Sequence, residues 1–200
     1  MVNYQNYIKV FMKTKIIANK NNELRQKNDQ INEINDKLQK ISITDELTGI
    51  YNRRKLEEVL NNVYQKSERF NHEFSIILLD LDNFKDVNDT YGHQVGDKIL
   101  NNICTILEEN IRAVDTCGRW GGEEFLIVCP QTKLTSAVNL AKRLRRLIED
   151  TNFPQVGTIT SSFGVASYQS GEELEQIIKK ADDNLYQAKD NGRNRVEWDS

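Results

Sequence analysis

The order of apolar segments predicts an α+β domain: an antiparallel central sheet of ferredoxin-like, palm-type architecture, flanked by helices and preceded by a long N-terminal helix. Three observations lead there. Phe74–Leu79 is a short, continuous apolar run with β-branched residues at its centre, as a buried strand requires. Gly121-Gly122 stands between two further strand-like runs, and glycine accepts the φ > 0 of a tight hairpin turn. The stretches around these runs carry apolar residues at helical spacing. Together they give a βααββαβ order with a central hairpin.

The first 41 residues are polar and rich in Asn and Lys, yet Val10, Ile17, Leu24, Ile31 and Leu38 recur every seventh position, with Ile34 and Ile41 between them. That seam, diluted by Lys20 and Lys27, predicts a parallel two-stranded coiled coil over 1–41, leaving 42–200 as the folded domain. A single amphipathic helix lying on the domain is the alternative. Ser42 to Asp45 ends this helix and Gly49 marks a turn. Asn52 or Arg53 opens a helix with Leu56, Val59, Leu60 and Val63 on one face. After the Phe74–Leu79 strand, Val87–Tyr91 is a short helical piece ended by Gly92. A longer helix then buries Ile99, Leu100, Ile103, Ile106, Leu107 and Ile111. Beyond the hairpin, Leu134 to Ile148 carries a stripe of Val138, Ala141, Leu144, Leu147 and Ile148. Thr158–Tyr168 reads as an alternating strand, Glu172–Lys189 as a helix, and Arg195–Trp198 as an edge strand.

Two hundred residues suffice for one core-bearing domain plus an extension. A net charge of -3 gives no basis for nucleic acid or an anionic membrane as partner. No apolar run approaches the length of a membrane span, and the start of the chain lacks a signal peptide's apolar centre, so a cytoplasmic location is expected. Cys104, Cys117 and Cys129 have no CxxC spacing and read as buried thiols.

The chemistry concentrates in Arg119-Trp120-Gly121-Gly122-Glu123-Glu124-Phe125. Adjacent carboxylates beside bare backbone repel unless a cation neutralises them. A second acidic strand end, Asp80-Leu81-Asp82, closes the Phe74–Leu79 run. Brought together, these ends surround an open, glycine-lined space with carboxyl oxygens, which suits Mg²⁺ and a phosphate substrate. A solvated turn is the other reading of the same residues.

Gly121-Gly122-Glu123-Glu124-Phe125 resembles the signature of the GGDEF family, the diguanylate cyclases, in its Glu variant. Three further blocks share the resemblance, in family order. They are Asp45-Glu46-Leu47-Thr48-Gly49-Ile50-Tyr51-Asn52-Arg53-Arg54, the stretch from Asp80 to His93 with Gly96-Asp97, and Ala188-Lys189-Asp190-Asn191-Gly192-Arg193-Asn194. The resemblance implies a homodimer that condenses two GTP into cyclic di-GMP with release of two diphosphates. It implies two Mg²⁺ ions per site, with Mn²⁺ as an alternative, held by Asp80, Glu123, Glu124 and the Leu81 carbonyl. Glu123 is then the candidate general base, unless a metal-bound alkoxide needs none, and Lys85 stabilises charge on the transferring phosphorus.

The same resemblance makes Asn88 and Asp97 the guanine readers. A carboxylate accepts from guanine N1–H and N2–H₂, a donor pair that adenine lacks. Phe84 packs below the site, and Lys189 and Arg193 contact phosphates. His93 is either a nucleotide contact or simply a helix start. Arg112-Ala113-Val114-Asp115 matches the family's inhibitory RxxD site, with Arg143 completing it from a neighbouring helix. The heptad helix would set the encounter of two catalytic domains, as the cytoplasmic output of a longer sensor. The competing readings are an inactive domain that binds GTP or cyclic di-GMP, and a palm-like cyclase or polymerase acting on another substrate. Against the last, Asn88 and Asp97 oppose ATP and no basic surface for nucleic acid is present.

Overall fold

A computed structural model describes residues 43–199, together with positions 12, 20, 21, 26 and 27. The heptad seam of residues 1–41 lies outside the described residues, apart from Lys20 and Lys27.

The chain runs through β1 (Tyr51–Asn52), α1 (Arg53–Phe70), β2 (Phe74–Leu81), α2 (Phe84–Tyr91) and α3 (His93–Asn110). It continues through β3 (Thr116–Gly121), β4 (Glu124–Pro130), α4 (Leu134–Asp150), β5 (Asn152–Phe153) and β6 (Gly157–Thr158). Finally come β7 (Ser161–Ser167), α5 (Leu174–Asp190) and β8 (Val196–Trp198). One sheet has the order β1-β3-β4-β2-β7-β8. Its inner pairings, β3 with β4, β4 with β2 and β2 with β7, are all antiparallel. This is the ferredoxin-like order expected from the βααββαβ pattern, with β1 and β8 added in parallel at the two edges.

Period-2 alternation divides the sheet into two apolar faces. Ile77, Leu79, Phe125, Ile127, Phe163 and Val165 meet the stripes of α3 and α4, while Ile76, Leu78, Leu126, Val128 and Ala166 meet α1 and α5. Local signals set the helix ends. Asn52 caps α1 by accepting from the Lys55 amide at 3.1 Å. A reciprocal Glu173–Gln176 capping box starts α5. Gly92, at φ 84°, separates α2 from α3.

The last long strand differs from expectation. It begins at Ser161 and is buried on both sides through Ala166, because α4 covers one face and α5 the other. The alternation across Thr158–Tyr168 reflected no single solvated face. Gly157–Thr158 instead pairs with Asn152–Phe153 in a small separate hairpin. The short helix before Gly92 also begins earlier, at Phe84. Tight packing places α5: a Cβ on Gly164 would collide with the Ala181 carbonyl oxygen and the Leu185 amide nitrogen.

Candidate active site

The register of β2 against β4 sets Asp80 directly opposite Glu124. A β-bulge between Arg119 and Gly121 brings Gly121 opposite Glu124 as well. Directly opposed residues share a face with Cβ atoms about 5 Å apart, so the strand end and the hairpin tip converge. Asp80 is buried, and its carboxylate pairs with Lys189 Nζ of α5 at 2.9 Å. Burial pushes the Asp80 carboxyl up to about 6; Lys189 opposes this, while the charges of Glu123 and Glu124 add to it.

Among the described residues no three Asp, Glu, His or Cys side chains form a ready-made metal cage. The donors nevertheless fit Mg²⁺, which takes hard oxygen ligands and usually draws only one or two carboxylates from the protein, the rest being water and substrate phosphate. A buried carboxyl with the acidic hairpin tip across the ladder is such a donor set.

The burial of Asp80 has a pH signature. A raised folded-state pKa means that proton uptake favours the fold. That contribution is complete below the unfolded value near 3.8 and is lost as pH rises through about 6. In chelator, Asp80→Asn should therefore gain thermal stability relative to the parent chain between pH 5 and 7.5. A Tm difference that stays constant over that range contradicts the shift.

Gly92 folds α2 back against α3, so that the Asn88 side chain lies over Gly96, next to Asp97. A Cβ at residue 96 would strike the Asn88 amide oxygen and come within 3.1 Å of the Phe84 ring. Asn88 thus lies beside Gly96 and the buried Phe84, with Asp97 one residue further along α3. Lys85, His93 and Arg193 are exposed, on α2, at the start of α3 and in the loop after α5. The N-terminus of α2 opens from Asn83 in the left-handed conformation with no side-chain cap, and such an end attracts anions.

Several organising residues escaped the sequence reading. Arg119 donates to both carboxylate oxygens of Asp45 at 3.1 and 3.2 Å and, through Nε, to the Gly122 carbonyl at 2.8 Å. It ties the turn of the first motif, where Asp45 also accepts from Thr48, to the Gly-Gly tip. Asp82 is buried and accepts from Ser162 Oγ and Thr160 Oγ1, both at 2.7 Å, and from the Asn194 amide at 3.0 Å. Asn194 also meets Arg145 and Glu149 of α4. Each brace joins residues far apart in sequence. The only available signal was the presence of charged residues inside or beside the motifs.

Arg112, Asp115 and Arg143 line one cleft of ≈ 410 Å³ with Thr132, Ser136, Asn139 and Leu140. Within it Arg112 and Asp115 are engaged with each other. The guanidinium forks onto the buried carboxylate at 2.8 and 3.1 Å and also reaches Thr132 Oγ1 at 2.5 Å. Arg143 donates to the Asn110 carbonyl at 2.5 Å from an exposed position.

Residues 42–195 match the family model "Diguanylate cyclase, GGDEF domain". The "Response regulator PleD" of Caulobacter vibrioides is 37% identical over 163 residues, covering 78% of this chain and 36% of that protein. The chain thus spans about a third of that relative's length. The GGDEF domain of DgcB from Caulobacter crescentus, solved in complex with c-di-GMP, superposes with a TM-score of 0.76 at 29% identity, covering 78% of this chain and 95% of that one. The active GGEEF domain of a diguanylate cyclase from Vibrio cholerae superposes with a TM-score of 0.71 at 36% identity, covering 74% and 96%.

Proposed function

The chain belongs to the GGDEF family, and on that premise we propose that it is a diguanylate cyclase, condensing two GTP into cyclic di-GMP with release of two diphosphates. The observation that carries this reading is the register that opposes Asp80 to Glu124, with Lys189 paired to Asp80.

The chain's own groups supply most of the work. Asn88 and Asp97 hold the guanine edge, and a buried carboxylate left unpaired against adenine makes ATP the poorer substrate. Phe84 floors the base. Lys85, Lys189, Arg193 and the open amides at the start of α2 receive the phosphates, and His93 lies beside the base-reading turn. Glu123, in the turn of the Gly-Gly hairpin, takes the proton of the attacking 3′-hydroxyl. Asp80, Glu123, Glu124 and the Leu81 carbonyl would hold Mg²⁺, or Mn²⁺ in its stead. When bound, that ion polarises the phosphoryl oxygens and neutralises charge on the attacking and leaving groups.

One domain offers one such site, so the reaction needs two domains with each 3′-hydroxyl aimed at the other's α-phosphate. The heptad seam of residues 1–41 is the means of tethering two copies, which raises their effective concentration. Among the described residues no helix is long and apolar enough to cross a membrane. The test is incubation with GTP and Mg²⁺, reading cyclic dinucleotide and diphosphate. Product from the parent chain, none from Glu123→Ala, and a turnover per chain that falls on dilution are expected. Bound but unconverted GTP would instead support the binding-module alternative.

The Arg112–Asp115–Arg143 cleft is assigned to the product as inhibitor. Because Arg112 holds a buried carboxylate, its loss also disturbs the fold. Arg143, exposed and bonded only to a carbonyl among the contacts described, is the cleaner probe. Arg143→Ala should weaken inhibition by cyclic di-GMP about tenfold or more, the worth of one charge-assisted contact to phosphate. The initial rate should remain unchanged. Inhibition that is equally strong in the variant removes this assignment.

A further inference from the structure

The loop after α5 carries Arg193 in an unusual way. Gly192, Arg193 and Asn194 have successive φ values of 110°, 64° and 48°. Glycine accepts this freely and asparagine with modest strain, but a long side chain such as Arg rarely does. Such a residue stays there only when its surroundings over-determine it. The Arg193 amide donates to the Ala188 carbonyl at 2.9 Å. The ties that reach across to the sheet and to α4 run through Asn194. Its amide donates to Asp82 at 3.0 Å, its side-chain Oδ1 accepts from Arg145 at 2.7 Å, and its Nδ2 donates to Glu149 at 2.7 Å. Arg145 and Glu149, one turn apart on α4, close the triangle with a 2.8 Å ion pair. The Asn194 amide, and then Arg145, hold the Glu149 carboxyl below the ordinary glutamate range.

We propose that Arg145 and Glu149 are positioning residues which, through Asn194, hold Arg193 in the left-handed conformation that aims its guanidinium at the substrate's phosphates. The two belong to the helix on the sheet face opposite α5 and reach the strand end only through Asn194 and Asp82 among the contacts described. Their work is to fix a loop that would otherwise relax to negative φ and turn the Arg193 side chain elsewhere. The proposal rests on the reading of the chain as a GTP-binding cyclase in which Arg193 touches phosphate.

A double-mutant cycle tests it. Binding of 3′-deoxy-GTP, which cannot react through its missing hydroxyl, and of guanosine, which has no phosphate, is measured for the parent chain, Arg145→Ala, Arg193→Ala and the double variant. Each single change is expected to weaken 3′-deoxy-GTP about tenfold and to leave guanosine unchanged. The double variant should be no weaker than Arg193→Ala alone. Glu149→Gln, which preserves shape and cannot be accused of unfolding the helix, should shift the same way by less. The proposal is overturned if the two losses add, if guanosine weakens in parallel, or if Arg145→Ala binds as the parent does. A parent chain that binds no 3′-deoxy-GTP, or an Arg193→Ala variant that binds it normally, overturns the underlying reading, and the positioning role with it.

Discussion

Asp80→Asn is expected to lower cyclic di-GMP formation by roughly a thousandfold or more while leaving a folded protein. Removing one fixed electrostatic partner of a phosphoryl transfer typically costs two to three orders of magnitude, and Asp80 serves two such purposes. In the proposed mechanism it is an oxygen donor for the divalent ion and, through a 2.9 Å ion pair, holds Lys189, the proposed phosphate contact. The substitution keeps the side chain's size at a buried position and removes a charge that burial already disfavours, so the fold should survive with a Tm at or above that of the parent at pH 7.5. Glu124→Gln, directly across the ladder, should lose activity on a similar scale. Initial rates with GTP and Mg²⁺, alongside melting curves, decide the matter. A variant that is folded and keeps more than about a tenth of parental turnover argues against a shared-ion role.

The second large effect concerns the fold. Gly164→Ala should destabilise the domain by about 3 kcal/mol, because the added methyl meets backbone atoms rather than a yielding side chain. Its neighbours, the Ala181 carbonyl and the Leu185 amide, belong to consecutive turns of α5, so relief requires the whole helix to lift from β7. That helix also carries Lys189 and leads into Arg193. A fall in Tm of about 10 °C is expected for a domain of this size, with activity at low temperature falling more than the folded fraction alone explains. Serine would do no better than alanine. A Tm within about 2 °C of the parent would mean that α5 is not seated as described.

What the sequence made legible followed the physics of each signal. Apolar periodicity located the helices to within a few residues. The continuous run at Phe74 announced a strand buried on both faces, and the paired glycines announced the hairpin. Thr158–Tyr168 misled for a physical reason: small residues such as Ser161, Ser162 and Gly164 in a strand covered on both sides mimic polar alternation, since burial follows from the helices packed around it and not from its own composition. The site's residue types were legible from motifs, but their convergence was not. The placement of Asn88 over Gly96 and the opposition of Asp80 to Glu124 are matters of turn geometry and register. The braces from Arg119 to Asp45 and from Arg145 to Asn194 join residues 74 and 49 positions apart. No local pattern could have paired them.

The central claim is that crowded carboxylates at the hairpin tip and the neighbouring strand end share a divalent ion with the nucleotide's phosphates. Calorimetric titration of Mg²⁺ into the chain saturated with 3′-deoxy-GTP tests this most directly, with Asp80→Asn and Glu124→Gln run in parallel. The account predicts Mg²⁺ binding by the parent complex beyond that of free nucleotide, weakened in each variant by about tenfold or more. Identical Mg²⁺ isotherms for the parent and both variants would contradict it.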